Sequence, residues 1–163
     1  MSASVRRAGP ADAGALLALE RSASLAALGH VFPPERFPYP SSDVLARWHL
    51  VLADPGCVTL VDGGDPGPEW LVAWDDHATV RHLAVAPEAW GRGAGRRALG
   101  LAVGALGASG AGEARLWCLA DNSRARGFYE SLGWRVTGAE QPAPWPPYPL
   151  EVEYVLPLRR LAP

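Results

Sequence analysis

Three glycines at alternate positions, Gly91, Gly93 and Gly95, separate the apolar run Leu83-Ala84-Val85 from a stretch where Leu99, Val103 and Leu106 recur at helical spacing. A strand must therefore turn sharply and enter a helix running from Gly95 to about Ala108. Glycines so placed let successive backbone N–H groups point into one concavity, and the helix start adds the positive end of its dipole. The segment is built to hold an anion. Read as a bare turn, it would carry three glycines that each cost roughly 0.5–1 kcal/mol relative to Ala inside an element, so a ligand is the better explanation. Of two well-known phosphate loops, one is excluded and the other matches weakly. The NTPase loop needs Gly-Lys-Ser/Thr after its glycines, and all 15 basic residues here are Arg. The dinucleotide fingerprint Gly-x-Gly-x-x-Gly meets Arg96 when counted from Gly91 and, counted from Gly93, Ala98, which some such sites accept, but Arg115 stands where the acidic ribose partner belongs.

Around this loop, short strand-like runs alternate with helical patterns, which argues for a layered α/β or α+β domain. Val5 to Ala8 opens as a strand, and Pro10 starts a helix carrying Ala13, Leu16, Leu17, Ala18 and Leu19. His30 to Pro40, with four Pro and the aromatics Phe32, Phe37 and Tyr39, reads as a loop. Ser41-Ser42-Asp43 is expected to cap a second helix bearing Val44, Leu45, Trp48 and Leu52. Cys57 to Val61, Trp70 to Trp74 and Ala78 to Val85 read as an antiparallel meander joined by Gly/Pro/Asp turns. After the loop helix come a strand, Ala114 to Ala120, and a short helix, Ser123 to Leu132, stopped at Gly133. Two strands, Trp134 to Gly138 and Glu151 to Leu156, then flank a loop with five prolines. No repeat or linker divides the chain, so residues 1–163 are expected to form one domain, the usual size being ~100–200 residues.

Composition narrows the function classes. At 48% hydrophobic and 20% charged residues the chain is ordinary globular material, not a disordered or fibrous one. A net charge of -2 and the absence of any Arg run longer than two argue against nucleic acid as a partner. The N-terminus lacks the apolar centre of a signal peptide, and the uncharged stretch Ala98 to Gly112 contains an Arg-free but Gly-diluted sequence shorter than the ~20 apolar residues of a membrane span. No membrane association is expected. Cys57 and Cys118 each sit in an apolar strand-like run, so two buried free thiols in a reducing compartment, the cytoplasm, are expected rather than a disulfide.

Two blocks carry a family resemblance. Val85-Ala86-Pro87 followed in register by Gly93 and Gly95 resembles the signature of the GNAT superfamily of acyl-CoA-dependent N-acyltransferases, with a departure at Trp90, where the family usually has Arg or Gln. Leu116-Trp117-Cys118-Leu119-Ala120-Asp121-Asn122 followed by Ala125, Tyr129 and Leu132-Gly133-Trp134 is similar to the family's second block. The likeness covers nearly the whole chain. It implies a mixed, mainly antiparallel central sheet of about seven strands flanked by about four helices. It also implies acetyl-CoA as co-substrate, no metal, and an amine acceptor on a small molecule or peptide; a homodimer is left open. By the resemblance, the amides of Gly91, Arg92, Gly93, Ala94, Gly95 and Arg96 would hold the CoA pyrophosphate, and the edge of Leu83-Ala84-Val85 would pair with the pantetheine arm. Arg92, Arg96 and Arg97 could add charge, or simply be a solvated helix start.

Acyl transfer from a thioester to an amine needs a neutral amine, a polarised carbonyl and a proton for the departing thiolate. The resemblance places Tyr129, seven residues after Asn122, at the CoA sulfur as general acid; the alternative is that Phe128-Tyr129 only packs the core. Asn122 would bond the pantetheine amides, cap its helix, or both. No carboxylate stands at Thr79, where some family members carry a basic glutamate. Strand alternation puts Thr79, Arg81 and Leu83 on one face and His82 on the other, so His82, with an ordinary pKa of ~6.5, would act as base only if a bulge turns it inward. Glu151, Glu153, and Asp76 with His77 are the remaining candidates. The two Pro-aromatic loops, with Phe32, Phe37, Tyr39, Trp145 and Tyr148, would shape the acceptor site or merely cover the core. Arg81 would favour an acceptor with an anionic group near its amine, or else pair with Glu151 or Glu153 across the sheet. A non-catalytic acyl-CoA sensor or interaction module is the alternative function.

Overall fold

The computed structural model describes residues 4–159; the ends of the expected domain, residues 1–3 and 160–163, lie outside the described residues. In chain order the elements are β1 (Val5–Arg7), α1 (Ala13–Ala27), α2 (Ser41–Ala53), β2 (Cys57–Asp62), β3 (Trp70–Asp75), β4 (Val80–Val85), α3 (Ala94–Ala108), β5 (Glu113–Leu119), α4 (Ser123–Ser131), β6 (Arg135–Pro142) and β7 (Leu150–Pro157). Seven strands and four α-helices match the architecture expected from the sequence. The strands run antiparallel in two groups, β1-β2-β3-β4 and β5-β7-β6.

Where the groups meet, Thr79, just ahead of β4, forms one parallel bridge to Arg115 of β5, backed by a 3.0 Å bond from the Arg115 N–H to the Ala78 carbonyl. Past that point no ladder joins them among the described residues, and the sheet opens into a cleft. Packing on the two faces holds the opening in shape. One core fills the space between α1, α2 and the first group, with Leu16, Val44, Trp48, Val61 and Leu71 fully shielded. The other joins α3 to both groups through Val72, Leu99, Leu116, Trp134 and Tyr154. β3 is buried on both faces, which is why Trp70-Leu71-Val72-Ala73-Trp74 reads as a continuous apolar run rather than an alternating one. Both cysteines are buried and free, as expected.

Three local expectations are corrected. Pro10 opens a 3-10 turn, Pro10–Asp12, and the α-helix begins only at Ala13; Asp12 there accepts the Gly9 N–H at 2.8 Å and pairs with Arg6 at 2.7 Å. Ser41-Ser42-Asp43 does not cap α2 but forms its first turn. The cap position is Pro40, whose carbonyl accepts the Val44 N–H at 3.0 Å. β4 starts at Val80 rather than Ala78, because Ala78 adopts φ 61° and the Asp75 carboxylate gathers the N–H groups of His77 and Thr79 into a turn.

The last correction bears on the site. Ala73 pairs with His82 and Trp74 with Val80, so Arg81 is the extra residue of a β-bulge. Simple alternation is thereby re-phased. Val80 and Leu83 share the α3-side core, His82 and Ala84 face α1 and α2, and Arg81 does not stand with Leu83 on one face. Its guanidinium reaches Asp75 at 3.5 Å, not Glu151 or Glu153. Glu153 instead accepts from Arg115 at 2.9 Å and from Thr137 at 2.8 Å, and Glu151 from Gln141 at 3.0 Å.

Candidate active site

The opening between β4 and β5 is the mouth of a cleft of about 910 Å³, walled by β4, the glycine loop, α4 and the loop between α1 and α2. One wall is strand edge. Ala86 donates to the Glu69 carbonyl at 2.7 Å, and the alternation of an antiparallel ladder then turns the backbone groups of Ala84 toward β3 and those of Leu83 and Val85 outward. Ala84 contributes only its small side chain to the wall. The Val85 carbonyl is taken by the Trp90 indole N–H at 2.8 Å, so Trp90 ties the loop to the strand end. The indole thus serves as a structural fastener at the position where the sequence departs from the signature it resembles.

The loop has the geometry its glycines imply. Gly91 and Gly93 adopt φ of 75° and 82°, a region that disfavours side chains, and Gly93 is the residue that leads into α3. A Cβ built at either would meet nothing within 4 Å, so the space above the loop is open. Gly91, Gly93, Ala94, Gly95 and Arg96 line the cleft; the Arg92 side chain does not, and donates to the Glu88 carbonyl instead. A cation the sequence reading did not single out replaces it: Arg124, at the start of α4, lines the cleft with its guanidinium carbon 3.9 Å from the centre of the Trp90 ring. This cradle of amides, flanked by Arg96 and Arg124, fits a pyrophosphate.

Asn122 caps α4, accepting the Ala125 N–H at 3.2 Å, and also lines the cleft. Two turns on, Tyr129 lines it as well, with its ring packed on Phe128, Trp134 and Tyr154 at 5.4, 6.1 and 6.0 Å. Burial lifts its hydroxyl above the ordinary phenol range, so it keeps its proton at neutral pH. Cys118 borders the same inner recess of about 220 Å³, and burial pushes its thiol up to about 11. It is therefore a thiol there, not a thiolate nucleophile.

Across the recess, His82 faces α2 and packs at a tilt against Trp48, ring centres 4.9 Å apart. Burial first, and then the charges of Arg47 and Arg81, drive its pKa well below the ordinary 6.5, so it is a neutral imidazole. The helices bring further groups that sequence reasoning missed. Glu20 of α1 accepts from Arg47 and from the Trp48 indole N–H, the latter at 2.9 Å, and all three belong to the cleft wall or its backing. Glu20 brings a carboxylate to the cleft from α1, held there by Arg47 and Trp48. Among the described residues, the buried side-chain polar atoms without a partner are Tyr39 Oη, Arg47 Nε and His82 Nε2. Each orphaned group of this kind costs about 1–3 kcal/mol, and all three belong to residues of this one cleft.

A family model described as the acetyltransferase (GNAT) family matches residues 29–134. No curated protein matches the chain by sequence. Among solved structures, a GCN5-related N-acetyltransferase from Rhodopseudomonas palustris superposes with TM-score 0.76 at 17% identity, covering 97% of each chain. The PaiA N-acetyltransferase from Thermoplasma acidophilum, solved with coenzyme A, gives TM-score 0.71 at 18% identity over 94% of this chain and 98% of its own. The ribosomal-protein-S18-alanine N-acetyltransferase from Escherichia coli gives TM-score 0.71 at 17% identity over 98% and 96%. These likenesses are of fold.

Proposed function

This chain belongs to the GNAT acetyltransferase family, and from that premise we propose that it moves an acetyl group from acetyl-CoA to a primary amine by direct attack within a ternary complex. The observation that carries this reading is the continuous path from the open edge of β4 into the glycine cradle, with Tyr129 facing it from α4. A neighbour of the same fold was solved with coenzyme A, which supports the same co-substrate here. Backbone groups of Leu83 and the Val85 N–H, with the Asn122 side chain, orient the pantetheine arm; the amides of Gly91 to Arg96 and the charges of Arg96 and Arg124 hold the pyrophosphate.

In the transfer, the amine nitrogen bonds to the thioester carbonyl carbon and the carbon–sulfur bond breaks. The Tyr129 hydroxyl meets the departing sulfur. Its raised pKa makes full proton donation to a thiolate, whose acid has a pKa of ~8.5, uphill, so Tyr129 acts through a preformed hydrogen bond. Neutral His82 accepts the N–H of the incoming amine, and in the net reaction the proton lost by the amine is the one gained by the thiol. A Cys118 acyl-enzyme has no support, since its thiol is held protonated. Against the non-catalytic alternative stands Tyr129, which lines the cleft with its proton retained.

CoA-thiol release from acetyl-CoA over a panel of primary amines tests the proposal. Turnover with at least one amine is expected. Binding of acetyl-CoA with no turnover across the panel would replace catalysis with the sensor reading.

A further inference from the structure

The acceptor half of the cleft holds the three unpartnered buried atoms, and their chemistry is specific. Tyr39 Oη and Arg47 Nε are donors, and the Arg47 guanidinium cannot lose its proton. His82 Nε2 accepts when the imidazole proton sits on Nδ1. Arg47 is the common neighbour: its guanidinium carbon lies 5.2 Å from the centre of the Trp48 ring, the His82 ring lies 4.9 Å from that same ring, and its charge acts on both the Tyr39 hydroxyl and His82. A ligand satisfying both must be compact. Phe32, Phe37 and Trp145 supply apolar wall beside them. Of the nearby charges, Glu20 is held by Arg47 and Trp48, Arg81 is only loosely joined to Asp75, and Glu151 lines the cleft bonded to the neutral Gln141 amide.

Building on the transfer reading above, we propose that the acceptor is an α-amino acid or peptide-like amine with an apolar side group. Tyr39 and Arg47 hold the carbonyl or carboxylate oxygen next to the amine-bearing carbon, and His82 takes the amine N–H. The oxygen satisfies two donors that have no other partner, and the apolar group lies on the aromatic wall. Tyr39 and Arg47 are then specificity-determining residues, supplied by the α1–α2 loop and by α2.

The test uses three acceptors of matched shape, phenylalanine, phenylalaninamide and phenethylamine, with thiol release followed for wild type and Tyr39→Phe. For wild type, kcat/KM for phenethylamine should lie roughly 10²-fold below that for the better of the two oxygen-bearing amines, the cost of leaving buried polar groups unpaired. Tyr39→Phe should lower kcat/KM about tenfold for the oxygen-bearing amines relative to phenethylamine and change the melting temperature little, since the hydroxyl approaches Glu20 without reaching hydrogen-bond geometry with any group of the protein. A preference for the acid identifies a carboxylate as the recognised oxygen, and equal use of acid and amide identifies a carbonyl; either supports the proposal. Equal kcat/KM for all three amines in wild type leaves acetyl transfer standing and overturns this inference, as does a Tyr39→Phe variant that loses stability without changing selectivity. Thiol release with none of the three, while other amines turn over, also overturns it; no release with any amine overturns the transfer reading itself.

Discussion

Tyr129 packs on three aromatic rings and still lines the cleft, so its hydroxyl can be removed with the packing left in place. Tyr129→Phe should therefore lower kcat by roughly 10²–10⁴-fold with CoA affinity and melting temperature nearly intact. An unchanged kcat would make the residue a packing element only. His82 yields a prediction about stability. Its folded pKa lies well below the unfolded value of ~6.5, so under acid conditions the unfolded chain binds a proton that the folded one refuses. Stability is then unaffected by this group above ~6.5 and falls as pH drops through that value. Between about pH 7.5 and 5.5 the wild-type melting temperature should decline more steeply than that of His82→Leu, which has nothing to titrate there. Parallel curves would show that the imidazole is not shielded as described. What the sequence revealed at this scale was residues whose chemistry is tied to a local pattern, such as Tyr129 and Asn122. Glu20, Arg47 and Trp48 were hidden because they sit on amphipathic helices, where an inward-facing polar group looks like any helix residue and Trp48 looks like core, which it also is.

At the scale of elements, the strand, glycine loop and helix were legible because each is encoded locally: apolar run, alternating glycines, helical period. The bulge at Arg81 was not, since an extra residue in β4 is defined only by the register of β3 beside it. That single residue put Val80 on the face of Leu83 and took Arg81 off it. The left-handed turn at Ala78 escaped for a related reason: it is held by the Asp75 carboxylate rather than by a glycine. The loop itself can be tested without confusing strain with ligand contact. Gly93→Val places a β-branched side chain at φ 82°, so it should lose both stability and CoA affinity. Asn tolerates that conformation, and Gly93→Asn should keep the melting temperature within a few degrees while affinity, read by calorimetry, falls at least about tenfold through the side chain filling the open cradle. Wild-type affinity in Gly93→Asn would mean that the cradle is not where the pyrophosphate lies.

For the molecule as a whole, the decisive feature is that β4 and β5 are joined at Thr79 and Arg115 and then part, exposing a strand edge that points into a helix N-terminus. The order of elements that creates this split could be read from the sequence; the split could not, because nothing local says that two strands will pair for one residue and then separate. Once formed, the opening supplies unsatisfied backbone groups, an anion cradle and a phenol on one path, and an aromatic, polar pocket on the other side. The most direct test is hydrogen exchange of the backbone amides with and without acetyl-CoA. Protection concentrated in residues 83–97 and 122–129 is the predicted result. No protection, or protection confined to β6 and β7, would contradict the assignment of this cleft as the acyl-CoA site.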